Sequence, residues 1–526
     1  MRILYKIANK LFRIVKKILK LLTSRMVIIG VALLLEFCWL AGIMMQLNEK
    51  SVYINYAVTI LSLIAVLSII NNPKMNPGYK LMWAVCILAL PVTGICLYGI
   101  LGHSSVARKF RTHYDTVLLS QGGVLGEEEE TRKKLEEENI LVAGQSSYLT
   151  NYAHYPVYEN TETEYYPLGD VWFEHFIEEL KKAEHYIFME YFIISEGYLW
   201  DTVLEILKEK AAAGVDVRLI YDDFGCVTTL PYQYYKSLQQ MGIKCAAFNQ
   251  FRPVLNVILN NRDHRKIAVI DGHTAFTGGI NLADEYINRK ERFGHWKDSG
   301  ICLHGEAVWS FTVMFLQMWS TITGMECNFE SYRPEIYHEE AFKKDGFVQP
   351  YGDSPLDGET VGEHVYLNII SQAKKYLYIF TPYLIPDNET LTALCMAAKR
   401  GVDVRIVTPG IPDKKIVYIL TQANYEILLE SGVQIYQYTP GFIHSKSFVC
   451  DDEVATVGTI NMDYRSMYLH FECGVWMYGS SAVAQVKEDA LTTFEQCEQI
   501  NMDYCRKKNF AVRALRGALK FLAPLL

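Results

Sequence analysis

Two short stretches of the sequence repeat one pattern of side chains that can do acid–base and nucleophilic chemistry. DHRKIAVIDG (Asp263 to Gly272) and IHSKSFVCDD (Ile443 to Asp452) each place a His, a Lys two residues later and an Asp five residues beyond the Lys. An imidazole can act as nucleophile or proton carrier near neutral pH, and an ammonium beside it can neutralise a phosphate oxygen. Residues two apart share one face of a β-strand, so each His and Lys project side by side. The candidate catalytic residues in this pattern are His264, Lys266, His444 and Lys446.

The aspartates that complete the two motifs, Asp271 and Asp451, belong to the same candidate catalytic set but have a different expected role. Alternation along a strand puts them on the opposite face from the histidines. We therefore expect them to hold the fold together by local pairing rather than to contact a substrate.

Each motif is followed by small residues and an asparagine, a combination suited to binding a phosphate. The two stretches are FTGGINLADEY and VGTINMDYRS. Small residues let a phosphate approach the backbone closely, and an Asn amide can donate hydrogen bonds to its oxygens. The predicted phosphate-binding residues are Gly279, Asn281, Thr459 and Asn461.

A carboxylate comes next in each half, in a run typical of a strand. Asp298 lies in HWKDSGICL and Glu472 lies in HFECGVW. A carboxylate that accepts the Nδ1 proton of a histidine fixes the tautomer of the ring and raises its nucleophilicity. We therefore expect Asp298 and Glu472 to orient the two histidines.

The elements that must position these residues are themselves repeated. AEHYIFMEYFII resembles AKKYLYIFTPYLI, and the string GVDVR begins at Gly214 and again at Gly401, 187 residues later. The two motif histidines are 180 residues apart, so two landmarks share nearly one offset, which indicates duplication. Strand-like and helix-like segments alternate in each copy. This pattern predicts an α/β fold of two similar halves, residues 151–335 and 336–508, with one site at their interface.

The N-terminal part of the chain predicts membrane attachment. Residues 1–25 contain eight basic residues and no acid, with the spacing of an amphipathic helix on an anionic membrane surface. Three apolar runs follow within residues 26–102, and each approaches the ~20 residues that a helix needs to cross a bilayer. We therefore predict two or three transmembrane helices here. Glu36, inside the first run, would be costly facing lipid and is expected to face another helix or to be protonated.

Two further segments differ from the body in composition. Residues 103–150 include the charge run GEEEETRKKLEEEN, which predicts a charged linker. Residues 509–526 form a basic and apolar tail, which can dock either on a bilayer or back onto the body.

The bulk composition excludes several classes of protein. The net charge of −8 disfavours a general nucleic-acid binder. The 12 cysteines include no CxxC pair, which favours buried free thiols over a zinc site or a disulfide framework. The sequence contains neither a GxxxxGK[ST] phosphate loop nor a dinucleotide fingerprint, and it lacks the Asp-rich pattern of the metal-dependent CDP-alcohol transferases. We therefore expect no metal and no cofactor.

The paired HxKx₄D motifs, each with a trailing Gly and Asn, resemble the phospholipase D superfamily. The apolar N-terminal runs and the phrases NNPKMNPGYKLMW, TPYLIPD, RSMYLHFE and LAPLL resemble its bacterial cardiolipin synthase branch, and the resemblance covers essentially the whole chain. The chain departs from the family pattern at Asp263 and His470, where Asn is common, and at Thr459, where Ser is common. The acid at Asp263 is expected to raise the pKa of His264.

The resemblance implies two phospholipase D-like halves, each a mixed sheet flanked by helices, and a transfer in two steps without a cofactor. One histidine, His264 in our hypothesis, attacks the phosphodiester of phosphatidylglycerol, and His444 protonates the departing glycerol. His444 then deprotonates a second phosphatidylglycerol, whose attack gives cardiolipin. The lysines and asparagines of the site are expected to stabilise the charge of the phosphate. The implied partners are phosphatidylglycerol and other anionic lipids, with a multi-pass position in a bacterial cell membrane.

Three alternatives stay open on the sequence alone. The first is a phosphatidyltransferase that uses another alcohol, or a hydrolase that uses water. The second is a membrane-bound phosphodiesterase acting on nucleic acid, which the acidic net charge disfavours. The third is a non-catalytic membrane scaffold, which would be expected to have lost a His or Lys that this chain retains. The side of the membrane and the oligomeric state also stay open.

Overall fold

The computed structural model describes residues 30–31, 33–34, 36–38, 50–73, 75–99, 105–120, 123–126, 129–250, 261–506 and 510–525. The chain divides into two compact units, Met1–Lys109 with Phe251–Leu259 and Phe110–Gln250 with Asn260–Leu526. The predicted amphipathic helix over residues 1–25 and most of the first apolar run lie outside the described residues.

The first unit contains the predicted membrane region. Its helices after residue 38 are α1 (Lys50–Ile70), α2 (Pro77–Ala89) and α3 (Pro91–Leu97). Among the described residues, one helical segment is long and apolar enough to cross a bilayer, the 19 residues Val52–Ile70 of α1.

The third apolar run, which has nearly the length of a span, is divided between α2 and α3. Pro91 has no backbone N–H to donate and its ring clashes with the preceding turn, so α2 ends at Ala89. Gly94 permits close packing of the two helices, because a Cβ there would lie 2.6 Å from the carbonyl oxygen of Cys86. Where the sequence predicted two or three transmembrane helices, the described residues therefore contain one candidate.

Glu36 lies buried within this unit. Its Oε2 accepts a hydrogen bond of 2.7 Å from the backbone N–H of Thr93, near the beginning of α3. The first N–H groups of a helix have no partner within the helix, and a carboxylate there is stabilised by them and by the helix dipole. The expectation that Glu36 faces another helix is confirmed.

The second unit contains the two predicted halves, in which sheets are flanked by helices. Its strands are β1 (Thr161–Tyr166), β2 (Tyr186–Tyr191), β3 (Asp216–Asp222), β4 (Lys244–Phe248), β5 (Arg262–Asp263), β6 (Lys266–Ile270), β7 (Thr274–Gly278), β8 (His295–Lys297), β9 (Gly300–Gly305), β10 (Phe347–Asp353), β11 (Tyr376–Phe380), β12 (Asp403–Pro409), β13 (Gln434–Tyr438), β14 (Gly441–Ile443), β15 (Ser447–Cys450), β16 (Val454–Gly458), β17 (His470–Tyr478) and β18 (Cys497–Ile500). The α-helices that follow α3 are α4 (Ser105–Ser120), α5 (Glu129–Glu138), α6 (Ile140–Tyr148), α7 (Gly169–Lys182), α8 (Tyr198–Ala212), α9 (Tyr234–Gln240), α10 (Val308–Thr323), α11 (Pro334–Tyr337), α12 (Val361–Gln372), α13 (Asn388–Lys399), α14 (Lys415–Ala423), α15 (Tyr425–Glu430), α16 (Tyr464–Tyr468), α17 (Ser481–Phe494), α18 (Met502–Arg506) and α19 (Phe510–Leu522).

The strand order shows the duplication directly. The first sheet has the order β1-β9-β7-β6-β2-β3-β4, and the second has β10-β17-β16-β15-β11-β12-β13-β18. The seven positions of the first sheet therefore recur in the second. The central strand of each, β2 or β11, pairs in parallel with the next strand along the chain and antiparallel with the motif strand, β6 or β15. Both halves are mixed sheets, as predicted.

Apolar sequence explains why these strands and helices pack as layers. The central and motif strands of both sheets are buried along their whole length, which is typical of strands covered on both faces. A covering helix such as α7 buries Trp172, Phe176 and Leu180, which recur every four residues and form one apolar face.

Two short strands join the halves reciprocally. β5 pairs in parallel with β17 and aligns Arg262 with His470. β14 pairs in parallel with β8 and aligns Ile443 with Lys297. β5 leads directly into His264, and its partner β17 contains Glu472. β14 leads directly into His444, and its partner β8 ends one residue before Asp298. The site is positioned by these two pairings.

The segment predicted as a charged linker packs onto the body instead. Tyr114, Leu135 and Val142 are buried in a hydrophobic core to which both halves contribute. The indole Nε1 of Trp476 donates a hydrogen bond of 2.9 Å to Oε1 of Gln145. These helices have one charged face and one buried apolar face. The prediction of a linker was wrong because it rested on the charged residues alone.

The C-terminal tail forms α19, which docks onto the body. Nη2 of Arg516 donates a hydrogen bond of 2.8 Å to Oε1 of Gln422 on α14. Ala523, just beyond α19, is buried against Ile385 and Leu420. Of the two positions expected for this tail, the structure has the one against the body.

Candidate active site

The reciprocal pairing brings the two motif histidines to one centre. The backbone N–H of His264 donates to the carbonyl of Phe471 at 2.9 Å, and that of His444 donates to the carbonyl of Lys297 at 2.7 Å. Each histidine is thus fixed to the strand of the other half, one residue before a carboxylate. Both side chains line a single cavity of about 880 Å³.

Each imidazole contacts the carboxylate of the opposite half. Nδ1 of His264 lies 2.9 Å from both carboxylate oxygens of Glu472. Nδ1 of His444 lies 2.6 Å from Oδ2 of Asp298. Both carboxylates are fully buried. A ring whose Nδ1 is engaged in this way has Nε2 left to react with a substrate.

The two carboxylates differ in their electrostatic state. Burial alone would raise the pKa of Asp298, but His444 and Lys446 hold it below its usual value. Burial raises the pKa of Glu472 well above its usual value, against the opposing charge of Lys266. Neighbouring charges therefore offset the burial of Asp298 fully, and that of Glu472 only in part.

Both histidines are neutral near pH 7. Burial, with Lys446 adding to it, lowers the pKa of His444 to about 4. Burial and Lys266 also lower the pKa of His264 well below its usual value. The neutral ring is the form that a nucleophile requires.

Asp263, which departs from the family pattern, does not raise the pKa of His264 as expected. Its Oδ1 accepts a hydrogen bond of 3.2 Å from Nε of Arg265, which also pairs with Glu190 at 2.5 Å. Alternation along the strand directs Arg265 away from the histidine face. The expectation is wrong because the charge of Asp263 is engaged by this arginine.

The motif lysines are buried beneath the histidines. Nζ of Lys266 donates to the carbonyl of His264 at 2.6 Å. Nζ of Lys446 donates to the carbonyl of His444 and lies 2.8 Å from its Nδ1. Burial lowers the pKa of Lys266 to about 8 and that of Lys446 to about 7. Neither lysine lines the cavity, so direct contact with a phosphate bound there requires a shift of each side chain.

The two predicted asparagines line the cavity. Asn281 accepts from the backbone N–H of Ile193 at 3.0 Å and donates from Nδ2 to the hydroxyl of Tyr286 at 2.7 Å. Nδ2 of Asn461 donates to Oγ of Ser466 at 3.1 Å. Each amide nitrogen carries a second hydrogen, which can be donated to a bound anion.

Gly279 and Thr459, predicted to contact phosphate, lie instead behind the two carboxylates. A Cβ at Gly279 would lie 1.9 Å from Oδ1 of Asp298, so glycine is required for the acid to fit. The hydroxyl of Thr459 donates to Oε2 of Glu472 at 2.5 Å. These equivalent positions of the repeat serve the acids that orient the histidines, which corrects the prediction.

The motif aspartates lie outside the cavity, each in the turn after its motif strand. Asp271 accepts hydrogen bonds from three successive backbone N–H groups that precede and begin β2, at 2.7 to 2.8 Å. Asp451 does the same before β11, at 2.6 to 2.9 Å. Both adopt left-handed backbone, with φ of 49° and 57°. Their inclusion in the catalytic set is corrected, since they tie each motif strand to the central strand of its sheet.

Aromatic rings surround His444. The ring centroids of Tyr286, Trp296 and Phe442 lie 5.5, 5.6 and 5.8 Å from that of His444. Sequence reasoning missed these residues. Trp296 stands two positions before Asp298, and this spacing on one strand face was the available signal.

The wall beside His264 combines the aromatic ring of Phe192 with polar and cationic side chains. The ring of His470 lies 5.6 Å from that of His264, and Phe192 lies 4.9 Å from it. Arg262 and Arg465 line the same cavity. The sequence singled out His470 as a departure from the family pattern but assigned no function to either arginine.

Among the described residues, two groups bring three possible metal ligands within 4.8 Å of one another: His264 with His470 and Glu472, and Glu363 with Asp387 and Glu389. The first is the histidine–carboxylate group of the site and lies among cations, which disfavour a further positive charge. The expectation that the site works without a metal stays a prediction.

Two α/β halves that place a pair of carboxylate-bound histidines in one cavity define an enzyme of the phospholipase D class. The family model for the cardiolipin synthase phospholipase D-like domain matches residues 176–319 and 366–493, one segment in each half. A phospholipase D-nuclease N-terminal model matches residues 60–103. The chain therefore belongs to the cardiolipin synthase family of phospholipase D-type phosphatidyltransferases.

Known proteins similar to the chain include full-length relatives. A cardiolipin synthase of Alkalihalophilus pseudofirmus is 34% identical over 472 residues, 89% of this chain and 92% of the relative. An uncharacterized protein of Streptococcus mutans is 43% identical over 475 residues, 88% of this chain and 99% of the relative. The crystal structure of the phosphatidylserine synthase of Haemophilus influenzae is 16% identical, with a TM-score of 0.55 over 73% of this chain and all of that one. This last likeness shows the fold.

Proposed function

We propose that the protein is a cardiolipin synthase that transfers the phosphatidyl group of one phosphatidylglycerol to the hydroxyl of another and releases glycerol. Family membership supports phosphatidyl transfer. The observation that carries the proposal is the crossed pairing of each histidine with a buried carboxylate of the opposite half. Such a pairing suits a reaction in which one histidine holds a covalent group while the other moves a proton.

In the first step, Nε2 of one histidine attacks the phosphorus and the bond from phosphorus to the glycerol oxygen breaks. The sequence hypothesis gives this attack to His264. His444 donates a proton to the departing glycerol oxygen. The negative phosphate raises the pKa of His444 while substrate is bound, so that the ring can carry this proton.

In the second step, His444 removes a proton from the hydroxyl of a second phosphatidylglycerol. The oxygen attacks phosphorus, the bond from phosphorus to His264 breaks, and cardiolipin is released. One phosphodiester replaces another, so the reaction needs no nucleotide. Lys266, Lys446, Asn281 and Asn461 stabilise the charge on the phosphate, and Asp298 and Glu472 orient the rings.

The experiment that tests this function is product identification. The purified protein is incubated with phosphatidylglycerol in detergent micelles, and the lipids and free glycerol are quantified by mass spectrometry. We expect cardiolipin and glycerol in equal amounts. Phosphatidic acid as the main product would overturn the proposal in favour of a hydrolase, and phosphatidyl esters of an added alcohol in place of cardiolipin would favour another acceptor.

A matched control separates the site from general damage to the protein. His113 is an exposed histidine on α4 that does not line the cavity. His113→Ala should form cardiolipin at the wild-type rate, whereas His264→Ala and His444→Ala should form none.

We also propose that the chain is an integral protein of a bacterial cell membrane, with more than one span. The candidate span Val52–Ile70 and the N-terminal family match support membrane attachment. Reaction of single cysteines placed on either side of this segment with a membrane-impermeant reagent tests the number of crossings. We further propose that the two halves comprise residues 151–335 and 336–508. We expect the protein to have no activity on nucleic acid.

A further inference from the structure

A cluster of cationic and polar side chains lies beside the catalytic centre. The parallel pairing of β5 with β17 puts Arg262 next to His470, and α16 contributes Arg465. All three line the cavity that contains His264. The ring of His470 lies 5.6 Å from that of His264. The cluster therefore adjoins the reacting phosphate without including either motif lysine.

His470 has unused hydrogen-bonding capacity. Its side chain is 10% exposed, and among the described residues neither ring nitrogen has a hydrogen-bond partner. Buried imidazole nitrogens are normally satisfied, so an unsatisfied one within a cavity points to a ligand. Burial and the charges of Arg465 and Arg262 lower the pKa of His470 well below its usual value. The neutral ring still has one N–H to donate to an anion.

Arg262 is a cation without a matching acid. Among the described residues it has no ion-pair partner within 4.0 Å, and its guanidinium lies over the exposed ring of Phe224, 4.1 Å from the centroid. Burial lowers the pKa of Arg262 and the like charge of Arg465 adds to this, whereas the attraction of Asp222 and Asp223 offsets it only in part. A second anion in the cavity would relieve this repulsion.

The acids nearest the cluster include Glu472, whose Oε1 lies 3.6 Å from Nδ1 of His470 but which pairs more closely with His264. Asp222 accepts hydrogen bonds from the backbone N–H groups of Phe224, Gly225 and Asp263. Asp463 accepts from the backbone N–H of Ser466 as the N-cap of α16. These contacts fix the loops that carry the cluster.

We infer that Arg262, Arg465 and His470 form a second anion subsite, which binds the phosphate of the acceptor lipid while its glycerol hydroxyl enters the catalytic centre. This inference rests on the proposed function. In that reaction the acceptor carries a phosphodiester on the same glycerol whose hydroxyl attacks, so two phosphates must occupy the cavity together. A neutral alcohol or water has no such group. The subsite therefore selects an anionic lipid alcohol as acceptor.

The test compares an anionic acceptor with a neutral one on a single donor. Phosphatidylglycerol micelles containing ethanol yield cardiolipin, phosphatidylethanol and phosphatidic acid, which are quantified together. In Arg262→Gln and His470→Ala we expect cardiolipin formation to fall about tenfold to a hundredfold, the loss typical of a charged hydrogen bond. Phosphatidylethanol should change less than about threefold, because its formation uses only the donor site. Arg262→Lys, which retains the charge, should recover part of the cardiolipin.

The control is Arg289→Gln, a change at an exposed arginine that lies over the ring of Tyr198 and does not line the cavity. It should leave the product ratio unchanged. An equal fall of all three products in the Arg262 and His470 variants would overturn the inference, as would an unchanged ratio. If the wild type makes cardiolipin and the variants have the same ratio of products, the subsite is refuted and the proposed function stands. A wild type that makes only phosphatidic acid would refute the proposed function and the subsite with it.

Discussion

The His264 and His444 sides of the cavity are built by the same pair of strand contacts and differ in what surrounds the ring. His444 is held by an acid whose pKa is below its usual value and is enclosed by aromatic rings. His264 is held by an acid whose pKa is raised, and it adjoins His470 and Arg262. A duplicated backbone therefore gives two chemically distinct positions.

This difference shows how a repeat supports a reaction with two unlike steps. The motif residues set the geometry, which both halves share, and the residues outside the motif set the charge around each ring. A phosphate transfer that passes through a covalent intermediate needs one nucleophile and one proton carrier. Equivalent substitutions beside His264 and beside His444 should therefore change catalysis by unequal amounts.

Loss of either histidine is expected to have the largest effect. His264→Ala and His444→Ala should each lower turnover on the order of 10³-fold or more, and the double variant should be no worse than the single ones, because the two act as a unit. Rates of cardiolipin formation measure this. A single variant that retains a tenth of the wild-type rate would show that one half works alone.

Removal of the two carboxylate charges should have unequal effects. Asp298→Asn is expected to lower kcat on the order of 10²-fold or more, because an ionised acid that fixes a histidine tautomer is lost. Glu472→Gln should cost about tenfold, because burial of Glu472 is less fully offset by neighbouring charges and glutamine retains an oxygen that can accept from Nδ1 of His264. Steady-state kinetics of both variants, each with an intact fold by circular dichroism, make the comparison. Equal losses would remove the distinction between the sides.

The small residues behind the acids should also differ in effect. Gly279→Ala introduces a Cβ 1.9 Å from Oδ1 of Asp298 and must displace the acid from His444, so we expect a loss of about tenfold or more. Thr459→Ala removes one hydroxyl donor to Glu472 and should cost about fivefold. Wild-type kcat in Gly279→Ala would contradict the placement of Asp298.

The motif lysines should set the alkaline limb of the pH profile. The pKa values of about 7 for Lys446 and about 8 for Lys266 mean that each ammonium is charged below its pKa and neutral above it. Stabilisation of the phosphate is therefore lost as the pH rises, and kcat/KM should fall above pH 7 to 8. Lys446→Arg should shift this limb to higher pH, because arginine stays charged. A limb that does not move in either lysine-to-arginine variant would assign it to another group.

Changes at the motif aspartates should affect folding more than chemistry. Asp271→Asn and Asp451→Asn keep a side chain that tolerates left-handed backbone but weaken three hydrogen bonds to backbone N–H groups. We expect each to lower the free energy of unfolding by about 2 kcal/mol, with kcat per folded molecule within about threefold of the wild type. Thermal unfolding alongside activity measures this. Wild-type stability combined with lost activity would return these residues to the site.

The sequence was sufficient to predict the motif residues, the duplication and the mixed α/β halves, because local spacing and a repeated string carry that information. It also predicted that Asp298 and Glu472 orient histidines. It did not reveal that each acid serves the histidine of the other half. That depends on the register of β5 with β17 and of β14 with β8, which joins residues far apart in the chain.

Other errors have equally physical causes. The sequence predicted that Gly279 and Thr459 bind phosphate, because small residues let a phosphate approach the backbone. The group that lies against each of them is instead a buried carboxylate. The apolar length of the third run made it a candidate span, although Pro91 interrupts the helix there. The aromatic and cationic walls were missed because residues with no catalytic chemistry of their own give no motif.

The central claim is that one histidine carries the phosphatidyl group while the other serves as proton carrier. A phosphatidyl donor with a p-nitrophenol leaving group tests this directly, because p-nitrophenolate departs near neutral pH without a proton. The account predicts that one alanine variant, His444→Ala under our hypothesis, releases a rapid burst of one equivalent per enzyme and that the other releases none. A burst only in His264→Ala would reverse the two roles. A burst in both alanine variants would contradict these roles. So would a burst in the wild-type protein that is absent from both variants.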